Sequence, residues 1–200
     1  MCVALAAVTS LIRIYTFPFG GSVTLFSMLF IMLPAWFYGV KEGVISGLIF
    51  GILQFVIEPY FLSVPQFILD YILAFSVMGI AGFFRNNKAY RLRDSRTGRG
   101  RTGGMAPAAR SSFPLHDKSG LLTGYIIAVI ARWIIATLAG LAWFSAGMAA
   151  WDGWAPLPYS MAYNAIYIFT EGIVTVIVLL IPSMRRALEN VRQTAAGSDE

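Results

Sequence analysis

Long apolar runs, interrupted or bounded by Gly, Pro or charge, recur along the whole chain, at 2–17, 22–40, 42–57, 64–84, 120–147 and 158–182. They lie near the ~20 residues that a helix needs to cross ~30 Å of hydrocarbon. They lack the short alternating period of barrel strands, and an open sheet would leave backbone groups unsatisfied in lipid. The pattern therefore predicts an all-α integral membrane protein: a six-transmembrane-helix bundle forming a single domain over residues 1–200. The first run is short and starts at the initiator Met1, so a few native residues are expected to precede it.

Composition supports this reading. Of 200 residues 58% are hydrophobic and 12% charged, with a mean hydropathy of +0.69, whereas soluble domains carry roughly 25% charged residues. The first residues have no basic region of the kind that opens a cleavable signal. Cys2 is the single cysteine, so the fold rests on helix packing rather than disulfides.

The net charge of +5 is a statement about topology. Between the fourth and fifth runs, 85–119 carries Arg85, Lys88, Arg91, Arg93, Arg96, Arg99, Arg101, Arg110 and Lys118 against Asp94 and Asp117. By the positive-inside rule this segment, whose composition predicts disorder, is cytoplasmic. Lys41, Arg185, Arg186 and Arg192 fall on the same side, which places both termini in the cytoplasm. The opposite connections, near Pro18–Gly21, Glu58–Ser63 and Met148–Leu157, contain no Lys or Arg and are rich in aromatics, Pro and Gly. Tyr60, Trp151, Trp154 and Tyr159 there serve either as an interfacial belt or as ligand contacts. The formal G-x-G-x-x-G at Gly98, Gly100 and Gly103 lies in the basic segment without a strand before it, so it is no dinucleotide fingerprint. That segment is a solvated linker or a contact for anionic headgroups.

Ionisable residues inside apolar runs cost kilocalories unless they face a partner or a cavity. Three such residues stand out: Asp70, Arg132 and Glu171. Arg132 and Glu171 sit at similar depth, so the leading expectation is a structural ion pair stapling the fifth and sixth helices, with a ligand role as the alternative. Asp70 has no basic partner evident at its level. It invites a cationic or hydrogen-bond-donating ligand, or else is protonated and bonded to a neighbouring helix. Asn164 lies at the depth of Asp70, and Ser160, Asn164, Tyr167 and Glu171 follow at spacings of three and four, which puts them on one helix face. Such a stripe points inward, to a site or to packing.

His116, the single histidine, sits in the basic segment, so neither a His-based triad nor a metal cluster is expected. No P-loop occurs, and any ATP hydrolysis must come from another subunit. No enzyme and no cofactor of its own are expected.

Three blocks then resemble a known family. They are Gly20-Gly21-Ser22-Val23-Thr24-Leu25 with Phe26-Ser27-Met28; Ser63-Val64-Pro65-Gln66 followed by Asp70-Tyr71-Ile72-Leu73-Ala74-Phe75; and Tyr159-Ser160 with Tyr163-Asn164. In order and spacing they resemble the thiamine-specific substrate-binding subunits, or S-components, of energy-coupling factor vitamin importers. The resemblance implies a six-helix bundle in the plasma membrane that takes up thiamine, or a close analogue, near its outer face. It implies ligand contacts at Asp70, Tyr71, Tyr159, Tyr163 and Asn164, at Tyr60, and at Trp143 or Phe144. A carboxylate and an Asn suit the donor and acceptor edge of an aminopyrimidine, and aromatic faces attract a thiazolium cation by about 0.5–2 kcal/mol each. The chain departs from the family with Asp70 in place of Glu, Phe50 in place of Trp and Ala136 in place of His. The resemblance also implies docking to a transmembrane coupling subunit driven by two ATPases, with Ala4, Ala6, Ala7 and Ser10 as a small-residue docking face.

Two other readings compete. A stand-alone ion-coupled secondary transporter would use Arg132 and Glu171 as a relay, although no inverted repeat is evident. A membrane sensor or scaffold would use the basic segment to hold a partner.

Overall fold

The computed structural model describes residues 1–17, 21–59, 64–85, 120–144 and 153–197. The predicted segment 85–119 lies, apart from Arg85, outside the described residues, as does Tyr60.

The described chain is mostly helical. It runs α1 (Cys2–Leu11), β1 (Arg13–Thr16), β2 (Ser22–Thr24), α2 (Ser27–Phe37) and α3 (Val40–Ile57). There follow α4 (Val64–Phe84), α5 (Leu121–Phe144), α6 (Pro156–Leu180) and α7 (Pro182–Gly197). Four helices, α3 to α6, are long and apolar enough to cross a membrane, and α1 and α2 are shorter apolar helices. Their outer faces carry exposed aliphatic residues such as Ile49, Val56, Ile134, Ile173 and Ile177, as expected where the solvent is hydrocarbon.

The first two apolar runs are not continuous helices. The expected helix over 2–17 stops at Leu11, and the run from 22 begins as a strand. Arg13-Ile14-Tyr15-Thr16 is β-branched and aromatic, a composition that favours strand. It pairs antiparallel with Ser22–Thr24 in the register Arg13↔Thr24, Tyr15↔Val23 and Thr16↔Ser22, with a bulge between Arg13 and Tyr15. A hairpin at membrane depth is tolerable only if its backbone is covered by protein or lines a cavity. The second strand is covered, with Val23 and Thr24 buried, and Gly21, Ser22 and Thr24 line a cavity, while Arg13–Thr16 is exposed. Phe17 packs edge-on to Tyr163 at 5.6 Å, and the Gly21 N–H donates to the Tyr163 hydroxyl at 3.2 Å.

Helix packing in lipid relies on close van der Waals approach, which small residues permit. On α3, Gly43, Gly47 and Gly51 recur every four residues. Cβ atoms added there would strike Ala35 on α2 and, on α4, the carbonyl oxygens of Phe75 and Tyr71 respectively. Against this face α4 is irregular: a wide π-helical stretch spans Ile68–Leu73 and a tight 3₁₀ stretch spans Val77–Phe84. Wide turns of this kind recur at functional sites, and this one carries Asp70 and Tyr71.

The core lies between α2 and α5, with Ile31, Met32, Trp36, Met78 and Tyr125 fully enclosed. On α1, Ala6 and Ser10 are buried while Ala4 is exposed. The small-residue docking face expected of Ala4, Ala6, Ala7 and Ser10 is therefore only partly exposed, because α1 packs against α2.

Candidate ligand-binding cavity

Between the hairpin and α3 to α6 lies a cavity of about 130 Å³, room for roughly ten waters or one small organic molecule. Among the described residues, three carboxylates line it, Glu58, Asp70 and Glu171, against one guanidinium, Arg132. Aromatic walls come from Phe50, Tyr71, Phe75, Tyr163 and Tyr167, and amides from Gln54, Gln66 and Asn164.

Asp70 projects from the wide turn of α4 and accepts a hydrogen bond from Gln66 Nε2 at 3.0 Å. The Tyr71 hydroxyl donates to the Glu58 carbonyl at 2.8 Å, tying α4 to the end of α3. The Tyr71 ring packs edge-on to Phe55 at 5.2 Å. Glu58 also forms an ion pair with Arg13 of β1, which fastens the hairpin to α3.

On α6 the predicted stripe does face inward. Asn164 Nδ2 donates to the Ser160 carbonyl at 2.8 Å and lies 3.2 Å from the Ala136 carbonyl. Its Oδ1 accepts from the Tyr167 hydroxyl at 2.6 Å. The amide nitrogen is therefore spent on the protein, and Oδ1 alone keeps a free lone pair. Ser160 donates to the Thr137 carbonyl at 2.8 Å, joining α6 to α5.

The expected Arg132–Glu171 staple does not form. Glu171, 4% exposed, accepts instead from Thr24 Oγ1 at 2.7 Å, Ser27 Oγ at 2.9 Å and the Met28 N–H at 3.0 Å. It caps the N-terminus of α2, where free N–H groups and the helix dipole favour an anion. Its neighbour Phe26 sits at φ 62°, a left-handed conformation rare outside glycine, at the point where strand turns into helix. With Glu171 so engaged, Arg132 has no carboxylate to itself. Its guanidinium lies 4.1 Å from the Phe75 ring centroid, and among the described residues its Nε and Nη1 reach no hydrogen-bond partner. Such donors, buried beside a cavity, await an acceptor.

Of the residues singled out from sequence, Asp70, Tyr71, Tyr163 and Asn164 line the cavity, and so do Arg132 and Glu171. Tyr159, 1% exposed, stands behind Tyr163 with ring centroids 6.0 Å apart and does not line the wall. Tyr60 and the side chains of Trp143 and Phe144 lie outside the described residues. The substituted positions Phe50 and Ala136 both lie on the wall. Sequence reasoning passed over Gln54 and Gln66 as site residues, and Thr24 and Ser27 as partners of Glu171. Polar residues among apolar ones were the available signal.

Comparison with known proteins adds three findings. The family model described as thiamine transporter protein matches residues 1–190. The thiamine transporter ThiT of Bacillus subtilis (strain 168) is 31% identical over 167 residues, covering 81% of this chain and 74% of that protein. A solved structure of ThiT from Listeria monocytogenes shares the fold, with a TM-score of 0.60 and 24% identity over 92% of each chain.

Proposed function

Because the chain belongs to the thiamine transporter protein family, we propose that it is the substrate-binding S-component of an ATP-driven energy-coupling factor importer. It captures thiamine, or a close analogue or precursor, from outside the plasma membrane. In this reading α1 to α6 make six spans, both termini are cytoplasmic, and the hairpin end of the cavity faces outward. A coupling subunit and two ATPases supply the energy, and this chain carries no cofactor.

The observation that carries the substrate is the charge and shape of the cavity. With Glu58 paired to Arg13, Asp70 and Glu171 against Arg132 leave the described lining formally anionic by one charge, and flat aromatic faces flank it, which suits a planar heteroaromatic cation. Asp70 accepts from the exocyclic amine or faces the thiazolium, and Asn164 Oδ1 accepts at the same edge. The unpartnered donors of Arg132 meet a ring nitrogen or the hydroxyethyl oxygen. Tyr71, Tyr163 and Tyr167 enclose the rings, and Tyr159 supports Tyr163. The family resemblance adds Tyr60 and Trp143 or Phe144 as further ligand contacts. Ala136 and Phe50, where the family pattern has larger side chains, leave space that a longer analogue also fits.

Labelled-thiamine uptake into proteoliposomes tests the coupling. ATP-dependent uptake that requires added coupling subunits is expected. Uptake by this chain alone under a proton gradient would identify a secondary transporter instead.

A further inference from the structure

The helix α7 plays no part in the cavity, and its sequence is built differently from the rest. It is polar overall, yet Met184, Leu188, Val191 and Ala195 recur at spacings of three and four, so they share one face. Leu188 turns towards the core of the bundle, while Met184 and Val191 are 39% and 53% exposed. Flanking that stripe, Arg192 lies over the Trp36 ring at 4.5 Å, and Arg185 donates to the Leu179 carbonyl at the end of α6. These contacts hold α7 across the end of the bundle, where Arg85 also donates to the Phe37 carbonyl at 2.9 Å.

We propose that α7 is a membrane-surface helix, with Met184 and Val191 dipping into the headgroup boundary and Arg185 and Arg186 engaging anionic lipid headgroups. Two observations favour lipid over a protein partner. First, exposed apolar residues follow one another along the chain from α6 into α7: Ile177 and Leu180 on α6, Ile181 at the junction and Met184 on α7. Second, the end of the bundle is basic, with Lys41, Arg85, Arg185, Arg186 and Arg192 against Glu42 and Glu189 among the described residues. Amphipathic helices with basic flanks bind anionic bilayers in this way. The inference rests on the membrane reading and not on the substrate.

The test uses the full chain in nanodiscs. Cys2 is replaced by Ala, and a fluorophore is attached at Val191→Cys or, as an exposed control on another face, at Asn190→Cys. In discs containing phosphatidylglycerol, the Val191→Cys label should be quenched by lipids with a shallow nitroxide and be several-fold less accessible to iodide than the Asn190→Cys label. Adding Arg185→Gln and Arg186→Gln should raise its iodide access, since each arginine near an anionic surface strengthens binding by about five-fold. Equal iodide access at both sites in anionic discs would overturn the proposal. So would shielding that appears only when coupling subunits are added. Thiamine binding measured in the same discs reports separately on the cavity.

Discussion

Replacing Glu171 by Ala should unfold the hairpin end of the bundle rather than merely weaken one helix contact. The carboxylate accepts three hydrogen bonds, from Thr24, Ser27 and the Met28 N–H. Its loss strands those donors in a buried site, at about 1–3 kcal/mol each. Thr24 and Ser27 already lie 2.9 Å apart and can satisfy one another in part, so a net loss of roughly 3–5 kcal/mol is expected. Against a typical total of about 5–15 kcal/mol that is a large fraction. Glu171→Gln keeps one acceptor oxygen and should lose about half as much. Arg132→Met supplies the contrast. Because Arg132 holds no carboxylate among the described residues and its Nε and Nη1 are unpartnered there, replacing it should leave stability within about 1 kcal/mol or raise it. Its thiamine affinity should nevertheless fall by about 10-fold or more. Thermal unfolding in detergent, followed by circular dichroism, reads the first quantity and calorimetric titration the second. Equal destabilisation by Glu171→Ala and Arg132→Met would mean that the two residues staple α5 to α6 after all, and would refute the capping account.

Three further outcomes follow from the same geometry. Asp70→Asn keeps the shape of the turn but removes its charge, so thiamine affinity should drop by about 10–100-fold with little change in unfolding temperature. Gly51→Leu places a side chain against the Tyr71 carbonyl, and should lower both stability, by about 1–3 kcal/mol or more, and affinity, because Asp70 rides on that turn. Arg13→Ala removes a partly exposed ion pair, so stability should change by less than about 1 kcal/mol. The thiamine dissociation rate, measured by stopped-flow fluorescence, should rise because the hairpin loses its tie to Glu58.

Much of the site was legible because a membrane makes polar residues conspicuous. Asp70, Arg132, Asn164 and Glu171 stood out by residue type alone, and helical spacing put Asn164 and Glu171 on a common face. Depth counted along the chain could not give azimuth, however. Counted along the chain Arg132 and Glu171 are level, yet Glu171 turns to Thr24 at the end of β2 and to Ser27 and Met28 at the start of α2, more than 140 residues away in sequence. The hairpin was hidden for a related reason: Ile12, Ile14, Tyr15 and Phe17 are as apolar as a helix span, and hydropathy does not distinguish strand from helix over so few residues. Tyr159 shows the converse. The family resemblance makes it a ligand contact, but it is buried behind Tyr163 and off the cavity wall.

The central claim is that this cavity binds thiamine through Asp70 and its surroundings, and titration calorimetry of the purified chain tests it most directly. Saturable one-to-one binding of thiamine that weakens in Asp70→Asn, while the fold stays intact, is the predicted result. Absence of saturable binding to thiamine, its phosphates and its pyrimidine precursor, by folded protein, would contradict it.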